Sequence, residues 1–207
     1  MLLDAHCHID LFASPEKLVA DIEAEGIFVL AMSNTPSMYV ATVRNTRQAP
    51  HVLPCLGLHP SLGGRLKAEL PGFLQLVRQA NYIGEVGLDG TRERGEQAIQ
   101  EDVFQSVLAA VDARRHLLSI HSRRRERVCL EALSKAAVRR AIFHWYSGPI
   151  ALIDEITASG YYFSVNYAMC RSTPGRQRIA AMPPARILLE SDGPFVKHGG
   201  APVSPLL

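Results

Sequence analysis

The chain has 207 residues, of which 47% are apolar, 20% are charged and 7% are aromatic, and its formal net charge is +2. This composition excludes a disordered chain, a collagen-like chain and a small disulfide-stapled scaffold, which differ in apolar content, glycine period or cysteine content. So small a net charge does not by itself indicate nucleic-acid binding, which would depend on where the charges lie. The length suits a single folded domain over residues 1–207 with a sizeable core.

Short apolar runs alternate with amphipathic segments along the chain. Apolar residues at spacings of three and four predict helices in the amphipathic segments, and the apolar runs predict buried strands. The predicted strands cover residues 2–8, 26–33, 51–59, 82–89, 117–122, 141–147, 161–166 and 186–192. The predicted helices cover residues 14–25, 66–79, 97–115, 128–136 and 150–159. This alternation predicts an α/β fold, a TIM-type (β/α)8 barrel, with an open doubly wound sheet as the alternative.

The predicted barrel is shortened at its C-terminus and lacks a clear final helix. After the eighth predicted strand, residues 193–207 hold three Gly and three Pro, a composition that disfavours a helix. A complete barrel needs a helix at this point, because it covers the eighth and first strands. We therefore expect this part of the barrel to be covered in another way.

Strand alternation predicts which side chains such a cover would meet. The outer face of the first and eighth strands is predicted to carry Leu3, Ala5, Cys7, Ile187 and Leu189. We expect Cys7 to be a packed thiol beneath the helices. The remaining strip is expected to be an interface with a second copy or with another protein, or to lie under a folded-back tail of residues 202–207.

Cysteine usage and hydropathy indicate the compartment. No secretory signal follows Met1, and no apolar run reaches the length of about 18 residues that a membrane span requires. The four cysteines are far apart and form no CxxC pair, which favours reduced thiols. We therefore expect a cytoplasmic protein with no membrane partner.

Residues with metal-binding side chains lie at the ends of five predicted strands. His6 and His8 are two residues apart, which places both imidazoles on one face of a strand. The others are Glu85, His121, His144 and Asp192. Because strand C-termini build the active site of a TIM-type barrel, this set suits two divalent cations such as Mg, Mn or Zn, which Glu85 could bridge. In the alternative, in which these histidines bind no metal, each buried ring would need its own hydrogen-bond partner.

Six motifs together resemble the TatD family of metal-dependent deoxyribonucleases. In chain order they are Asp4-Ala5-His6-Cys7-His8, Gly57-Leu58-His59-Pro60, Ile83-Gly84-Glu85-Val86-Gly87-Leu88-Asp89, Ile120-His121-Ser122-Arg123, Phe143-His144-Trp145-Tyr146-Ser147-Gly148 and Glu190-Ser191-Asp192-Gly193-Pro194. The resemblance covers nearly the whole chain and implies a TIM-type barrel. It also implies the metal ligands, or their catalytic partner, as His6, His8, Glu85, His121, His144 and Asp192.

The chain is most similar to one branch of that family. Its shortened length, Ser-Arg-Arg-Arg at 122–125 and Glu-Ser-Asp-Gly-Pro-Phe at 190–195 resemble the short TatD-type nucleases of bacterial Qat anti-phage systems. This narrower resemblance implies a role in anti-phage defence, with a protein of the same system as a possible partner.

A binuclear centre suits phosphodiester hydrolysis, because it activates a bound water and stabilises the attacking and leaving oxygens. Asp192 is expected to accept the proton of that water, to bind the first metal, or both, and Glu85 is the second expected catalytic residue. His59 and Arg123 are expected to hold phosphate, and Trp145 to stack on a base. The expected partner is therefore DNA, as a single strand or a strand end.

Two other functions fit parts of this pattern. One is an amidohydrolase-like metal hydrolase of a small substrate, although such enzymes often carry a carboxylated Lys where this chain has Glu85. The other is a non-catalytic metal-binding subunit of a defence complex, which the missing final helix keeps open. Metal analysis combined with a nuclease assay separates these functions.

Overall fold

The computed structural model describes residues 2–206 and contains eight parallel strands that pair in sequence order. They are β1 (Leu2–Cys7), β2 (Ile27–Ala31), β3 (Val52–Leu56), β4 (Tyr82–Gly87), β5 (Leu117–His121), β6 (Ala141–Phe143), β7 (Tyr162–Val165) and β8 (Ile187–Leu189). This order confirms the predicted TIM-type barrel, since a doubly wound sheet reverses its strand order partway. Several strands end a few residues before their predicted boundary, so that polar residues at the strand ends lie in loops.

Helices connect most of the strands on the outside of the barrel. They are α1 (Pro15–Glu25), α2 (Pro36–Asn45), α3 (Leu66–Leu76), α4 (Arg94–Ala110), α5 (Glu126–Lys135), α6 (Ile153–Ala158), α7 (Tyr167–Arg171) and α8 (Thr173–Ala181). The five predicted helices are present. None of the helices within residues 2–206 combines the length and the apolar character that a bilayer crossing requires.

Apolar periodicity did not indicate α2, α7 or α8. Capping residues mark all three instead, and at the start of α7 the Asn166 side chain accepts the backbone N–H of Met169. The Thr35 side chain accepts the backbone N–H of Met38 at the start of α2, and the Ser172 side chain accepts that of Gly175 at the start of α8. Both helices also have proline in their first turn, so capping chemistry is the sequence signal that finds them.

The barrel closes where the chain after β8 runs along β1. The backbone N–H of Asp192 donates to the carbonyl of His6 at 2.9 Å, and that of His8 donates to the carbonyl of Gly193 at 2.9 Å. The Asp4 side chain accepts the N–H groups of His6 and Ser191 through one oxygen, each at 3.0 Å. These bonds fix Asp192 beside the two histidines of the first strand.

The barrel interior shows that one predicted orientation is wrong. Ala5 does not face outward, because it packs in one buried cluster with residues from three other strands: Leu30 of β2 and Met32 directly after it, Cys55 of β3 and Ile142 of β6. The β1–β2 register shifts between Asp4 and Cys7, where Asp4 binds the N–H of His6. This irregularity breaks strict alternation, so that Ala5 and His6 both serve the interior. Cys7 packs outward against α1, as predicted.

After β8, the described residues form a short antiparallel hairpin of β9 (Lys197–His198) and β10 (Ala201–Pro202) and no helix. Val203 donates its N–H to the carbonyl of Val196, and a Cβ at Gly193 would lie 2.1 Å from the Val203 carbonyl oxygen. The tail therefore folds back on Gly193 rather than on the outer face of β8. Leu207, the end of the predicted tail, lies outside the described residues.

The predicted apolar strip is partly exposed. Of its residues, Leu189 on β8 is 67% exposed and Leu3 on β1 is 36% exposed; Leu2 on β1, which the prediction did not include, is also 67% exposed. Ile187 is half-buried and packs against the helix-facing core. Within residues 2–206, the tail thus leaves apolar side chains of β1 and β8 in contact with solvent.

Candidate metal centre

Glu85, on β4, lies at the centre of the candidate site, and its carboxylate is buried within a ring of imidazoles. The nitrogens around Oε1 are His121 Nδ1 at 2.5 Å and His144 Nε2 at 2.9 Å. Those around Oε2 are His59 Nε2 at 3.1 Å, His8 Nε2 at 3.3 Å and His6 Nε2 at 3.4 Å. The two oxygens therefore face two separate groups of nitrogen donors, as a carboxylate that bridges two cations would.

The end of β4 reaches this position because Gly87 lets two strands approach closely. Gly87 has a φ of +138°, and a Cβ there would lie 2.0 Å from the carbonyl oxygen of His121. The next residue, Leu88, donates its N–H to that same carbonyl at 2.8 Å. A side chain at position 87 would therefore separate Glu85 from His121.

His6, His8 and Asp192 form one side of the centre. His6 Nδ1 lies 2.9 Å from Ser119 Oγ, which leaves Nε2 facing His8 Nε2 at 3.3 Å. Burial, together with the neighbouring charge on His144, lowers the pKa of His6 to about 3. The ring is therefore neutral, and an N–H at Nδ1 that donates to Ser119 Oγ would leave the lone pair on the inward Nε2. Asp192 Oδ1 lies 3.8 Å from His6 Nε2 and 4.0 Å from His8 Nε2.

Asp89 fixes the ring of His121 on the other side of the centre. His121 Nε2 lies 3.2 Å from Asp89 Oδ2, so an N–H there leaves Nδ1 free to face Glu85. Asp89 in turn accepts the backbone N–H and the hydroxyl of Thr91. Against the raising effect of burial, these hydrogen bonds keep the pKa of Asp89 below its usual range. Asp89 thus acts as a permanent anion that orients His121.

Glu190 holds the segment that carries His144, because its carboxylate accepts hydrogen bonds from residues around it. Its Oε1 accepts the backbone N–H of Trp145 at 3.1 Å and the Asn166 amide at 2.9 Å. Its Oε2 accepts the Ser164 hydroxyl and lies 3.5 Å from His144 Nδ1. Trp145 has a φ of +39°, where a bulky residue is strained by about 1–3 kcal/mol. The Glu190 network therefore holds His144 and Trp145 in place.

This donor set fits divalent cations. Three groups of side chains bring their ligand atoms within 4.8 Å of one another; they are His6–His8–Asp192, His6–Glu85–His144 and His59–Glu85–His121. Within the described residues, His8 Nδ1 is buried without a hydrogen-bond partner, and its Nε2 faces another imidazole nitrogen. A cation between facing nitrogens and carboxylates would satisfy groups that protein contacts leave poorly paired. The predicted ligands His6, His8, Glu85, His121, His144 and Asp192 therefore lie together in these groups, along with His59.

His59 differs from the other histidines in the hydrogen bond made by its second nitrogen. Its Nδ1 accepts the N–H of Ser61 at 3.0 Å, so in the neutral ring the proton is on Nε2. Nε2 is therefore a hydrogen-bond donor toward Glu85 rather than a lone pair for a metal. This tautomer suits a group that donates to a phosphate oxygen.

A cavity of about 510 Å3 opens above the centre. Its lining includes all the residues predicted to contact substrate, which are His59, Arg123 and Trp145. Arg125 and Arg127, from the same Arg-rich segment, form ion pairs with Glu101 and Glu155. Arg123 is exposed at the cavity, and the structure thus separates it from those two neighbours.

Sequence reasoning missed several residues that support the site. Among them are Ser119, Asp89, Ser164, Asn166 and Phe195. Ser119 and Ser164 precede His121 and Asn166 by two residues, so strand alternation places each pair on one face and could have indicated them. Phe195 lines the cavity from the loop after β8, next to the predicted Asp192.

A barrel with a buried cluster of His, Glu and Asp at its strand ends defines a metal-dependent hydrolase. A family model described as "TatD related DNase" matches residues 3–206, so the chain belongs to this family of metal-dependent deoxyribonucleases. This membership favours the nuclease over the small-substrate hydrolase that the sequence left as an alternative.

Individual relatives agree with the family assignment. The chain is 27% identical to the Deoxyribonuclease TATDN3 of Homo sapiens over 216 residues, which cover 93% of this chain and 78% of that protein. It is 27% identical to the "3'-5' ssDNA/RNA exonuclease TatD" of Klebsiella pneumoniae, over 87% of this chain and 72% of that one. The crystal structure of the TatD homologue YJJV from Escherichia coli superimposes with a TM-score of 0.85, at 23% identity, over 99% of this chain and 85% of that chain.

We predict that Glu85→Ala removes the bound metal while the barrel remains folded. The carboxylate lies within 3.4 Å of all five imidazoles, so its loss takes away the shared anionic ligand of both sides of the centre. Elemental analysis of the purified protein measures the metal content, and circular dichroism checks the fold. Glu155→Ala, which removes an exposed carboxylate, is the control and should keep full metal content. Unchanged metal content in Glu85→Ala would contradict the assignment.

Proposed function

We propose that this chain hydrolyses the phosphodiester bonds of DNA at single-stranded segments or strand ends. Two divalent cations, Mg, Mn or Zn, would be held by His6, His8, Glu85, His121, His144 and Asp192. The observation that carries this proposal is the buried Glu85 carboxylate, whose two oxygens face separate groups of imidazole nitrogens. The Glu85 carboxylate and these imidazoles lie beneath a cavity of about 510 Å3, which is large enough for a nucleotide.

The bound cations would polarise a phosphoryl oxygen and supply a hydroxide-like nucleophile at neutral pH. Asp192 is placed to accept the proton of the attacking water. Burial, with the nearby negative charges of Glu190 and Glu85, raises the pKa of Asp192 to about 7. Cations held beside Asp192 would lower this pKa and keep the carboxylate ionised, so that it can accept a proton. Glu85, between the two groups of imidazole nitrogens, would contribute a ligand oxygen to each side of the centre.

The substrate contacts divide by chemistry. His59 donates from Nε2 to a phosphate oxygen, in the tautomer that Ser61 selects. Arg123 adds positive charge at the cavity, which attracts the DNA backbone irrespective of its sequence. Trp145 is 36% exposed and offers a ring on which a base can stack.

The finer assignment within the family is a cytoplasmic nuclease of a bacterial Qat-type anti-phage system. Two features of the chain support this proposal. The Arg-rich segment at 122–125 and the motif at 190–195 resemble that branch. A hairpin follows β8 in the described residues at the point where a complete barrel has its final helix. Residues 1–207 would form one catalytic unit of that system.

A protein partner would bind the apolar strip of Leu2, Leu3 and Leu189. Leu2 and Leu3 belong to β1 and Leu189 to β8, two strands that are in contact, and the tail hairpin leaves these side chains exposed. A protein surface usually covers such neighbouring apolar groups. The partner is a second copy of this chain or another protein of the same defence system.

We predict that the purified protein degrades single-stranded DNA with a divalent cation and loses this activity in chelator. Asp192→Asn should keep the fold and reduce turnover by at least about 100-fold, because the substitution removes the proton acceptor. Release of nucleotides with Mg, Mn and Zn measures the activity. Cleavage by metal-free protein would contradict the mechanism. A metal-loaded protein without nuclease activity would instead favour the non-catalytic subunit.

We predict that Arg123→Ala weakens the binding of all DNA sequences alike and reduces the salt dependence of binding by roughly one phosphate contact. The metal content should not change, because the guanidinium donates hydrogen bonds and cannot ligate a cation. Titrations at several salt concentrations with strands of different sequence measure both effects. Arg140→Ala, an exposed arginine before β6 at the other end of the barrel, is the control. A loss confined to particular sequences would assign Arg123 to base recognition.

We predict that Leu189→Asp abolishes association with the partner while the metal content stays unchanged. A charge on the strip opposes its burial, and the metal ligands lie at the ends of the strands rather than on this outer face. Sedimentation of the protein alone and with proteins of the same system measures the association. Ile150→Asp, at an exposed aliphatic residue on a different loop, should associate normally. A wild-type protein that stays monomeric under all these conditions would refute the interface.

A further inference from the structure

Phe195 is an exposed aromatic residue beside the metal centre. It follows the motif that carries Asp192, lines the cavity and is 57% exposed. Its ring centroid lies 5.2 Å from that of His8, with the rings nearly perpendicular. An apolar ring is thus held at the edge of a polar site, in direct contact with a metal-ligating side chain.

The loop that carries Phe195 does not need the ring for its own stability. The backbone N–H of Phe195 donates to the carbonyl of Asp192 at 2.9 Å, which closes the turn. The next residue, Val196, is buried and pairs with Val203 of the tail. Backbone hydrogen bonds and Val196 therefore anchor the loop, and the Phe195 side chain is left free to meet a ligand.

The chemistry around the ring narrows the class of ligand. The other lining residues are mostly His, Asp, Glu, Asn and Ser, which match phosphate, sugar and metal. An aromatic face among them matches the planar part of a nucleotide, and bases stack on such rings irrespective of their sequence. Trp145, on the loop after β6, is a second exposed ring of the same cavity.

We propose that Phe195 forms a stacking subsite for one unpaired nucleobase next to the scissile phosphate. This inference rests on the proposed DNA hydrolysis and specifies its substrate. The site would take a nucleotide whose base is unstacked and accessible, as in a single strand, because the face of a base inside a duplex is covered by its neighbours.

The backbone fixes this subsite relative to the reaction centre. The backbone N–H of Phe195 donates a hydrogen bond to the carbonyl of Asp192. The backbone N–H of Trp145 donates to the Glu190 carboxylate, and Glu190 lies two residues before Asp192. The backbone of both residues is therefore tied to the segment that carries Asp192. Stacking would place the phosphate of the bound nucleotide over the metal centre. The base would then contribute to cleavage without its identity being recognised.

The test compares two single strands of equal length and charge. One carries normal bases, and in the other the two nucleotides at each end are abasic. Fluorescence anisotropy with phosphorothioate linkages measures binding to the metal-loaded protein independently of cleavage, and normal linkages measure the rate. The variants are Phe195→Ala, Phe195→Trp as the conservative replacement, and Tyr162→Ala, which removes a partly exposed aromatic ring at the start of β7.

We expect the wild type to bind the base-bearing strand roughly 10- to 100-fold more tightly than the abasic strand. Phe195→Ala should lose about 10-fold or more on the base-bearing strand and less than about 2-fold on the abasic strand. Phe195→Trp should restore the difference, and Tyr162→Ala should preserve it. Equal losses on both strands, or no loss on either, would overturn the subsite.

Failure of the subsite is distinguishable from failure of the nuclease function. If the wild type cleaves both strands at equal rates, the nuclease function stands and the stacking subsite is refuted. If the base-bearing strand binds in a manner that depends on Phe195 but no strand is cleaved with Mg, Mn or Zn, the subsite stands and the proposed hydrolysis is refuted.

Discussion

The burial of the Glu85 carboxylate among histidines is the constraint on which the rest of the site depends. A carboxylate removed from water is costly unless it is paired, and here five imidazole nitrogens lie within 3.4 Å of its two oxygens. These nitrogens come from the ends of four different strands, β1, β3, β5 and β6. The centre therefore exists only when the barrel is closed. Divalent cations would bind between the imidazole nitrogens and carboxylate oxygens that face one another there.

A second layer of hydrogen bonds decides what each of these histidines can do. Ser119 can accept an N–H from His6 Nδ1, which would leave the lone pair of Nε2 facing inward, whereas the backbone N–H of Ser61 places the proton of His59 on its inward nitrogen. Two histidines at similar distances from Glu85 thus differ in chemistry, since one can ligate a cation and the other donates a hydrogen bond. Asp89 holds the ring of His121 in the same manner, and Glu190 accepts the backbone N–H of Trp145, the residue after His144.

The closure of the barrel links the site to the protein surface. The bonds that tie Asp192 and Gly193 to β1 place the carboxylate beside His6 and His8, and the tail covers Gly193 from outside. The same arrangement leaves Leu189 exposed, because the hairpin folds over the end of the strands rather than along the face of β8. One short segment thus carries the candidate proton acceptor, the aromatic ring of Phe195 and the border of the apolar strip.

The sequence by itself determined the alternation of strands and helices and the residues that end the strands, because both follow from local period and residue type. The six expected ligands could be named for that reason. The tertiary structure decided the features that depend on contacts between residues far apart in the chain, which a local sequence pattern cannot predict. Ala5 faces inward because the register of β1 shifts beside Asp4, and the tautomer of His59 depends on a backbone N–H from Ser61. Phe195 reaches the cavity, and the tail misses Leu189, because both depend on how distant segments close the barrel.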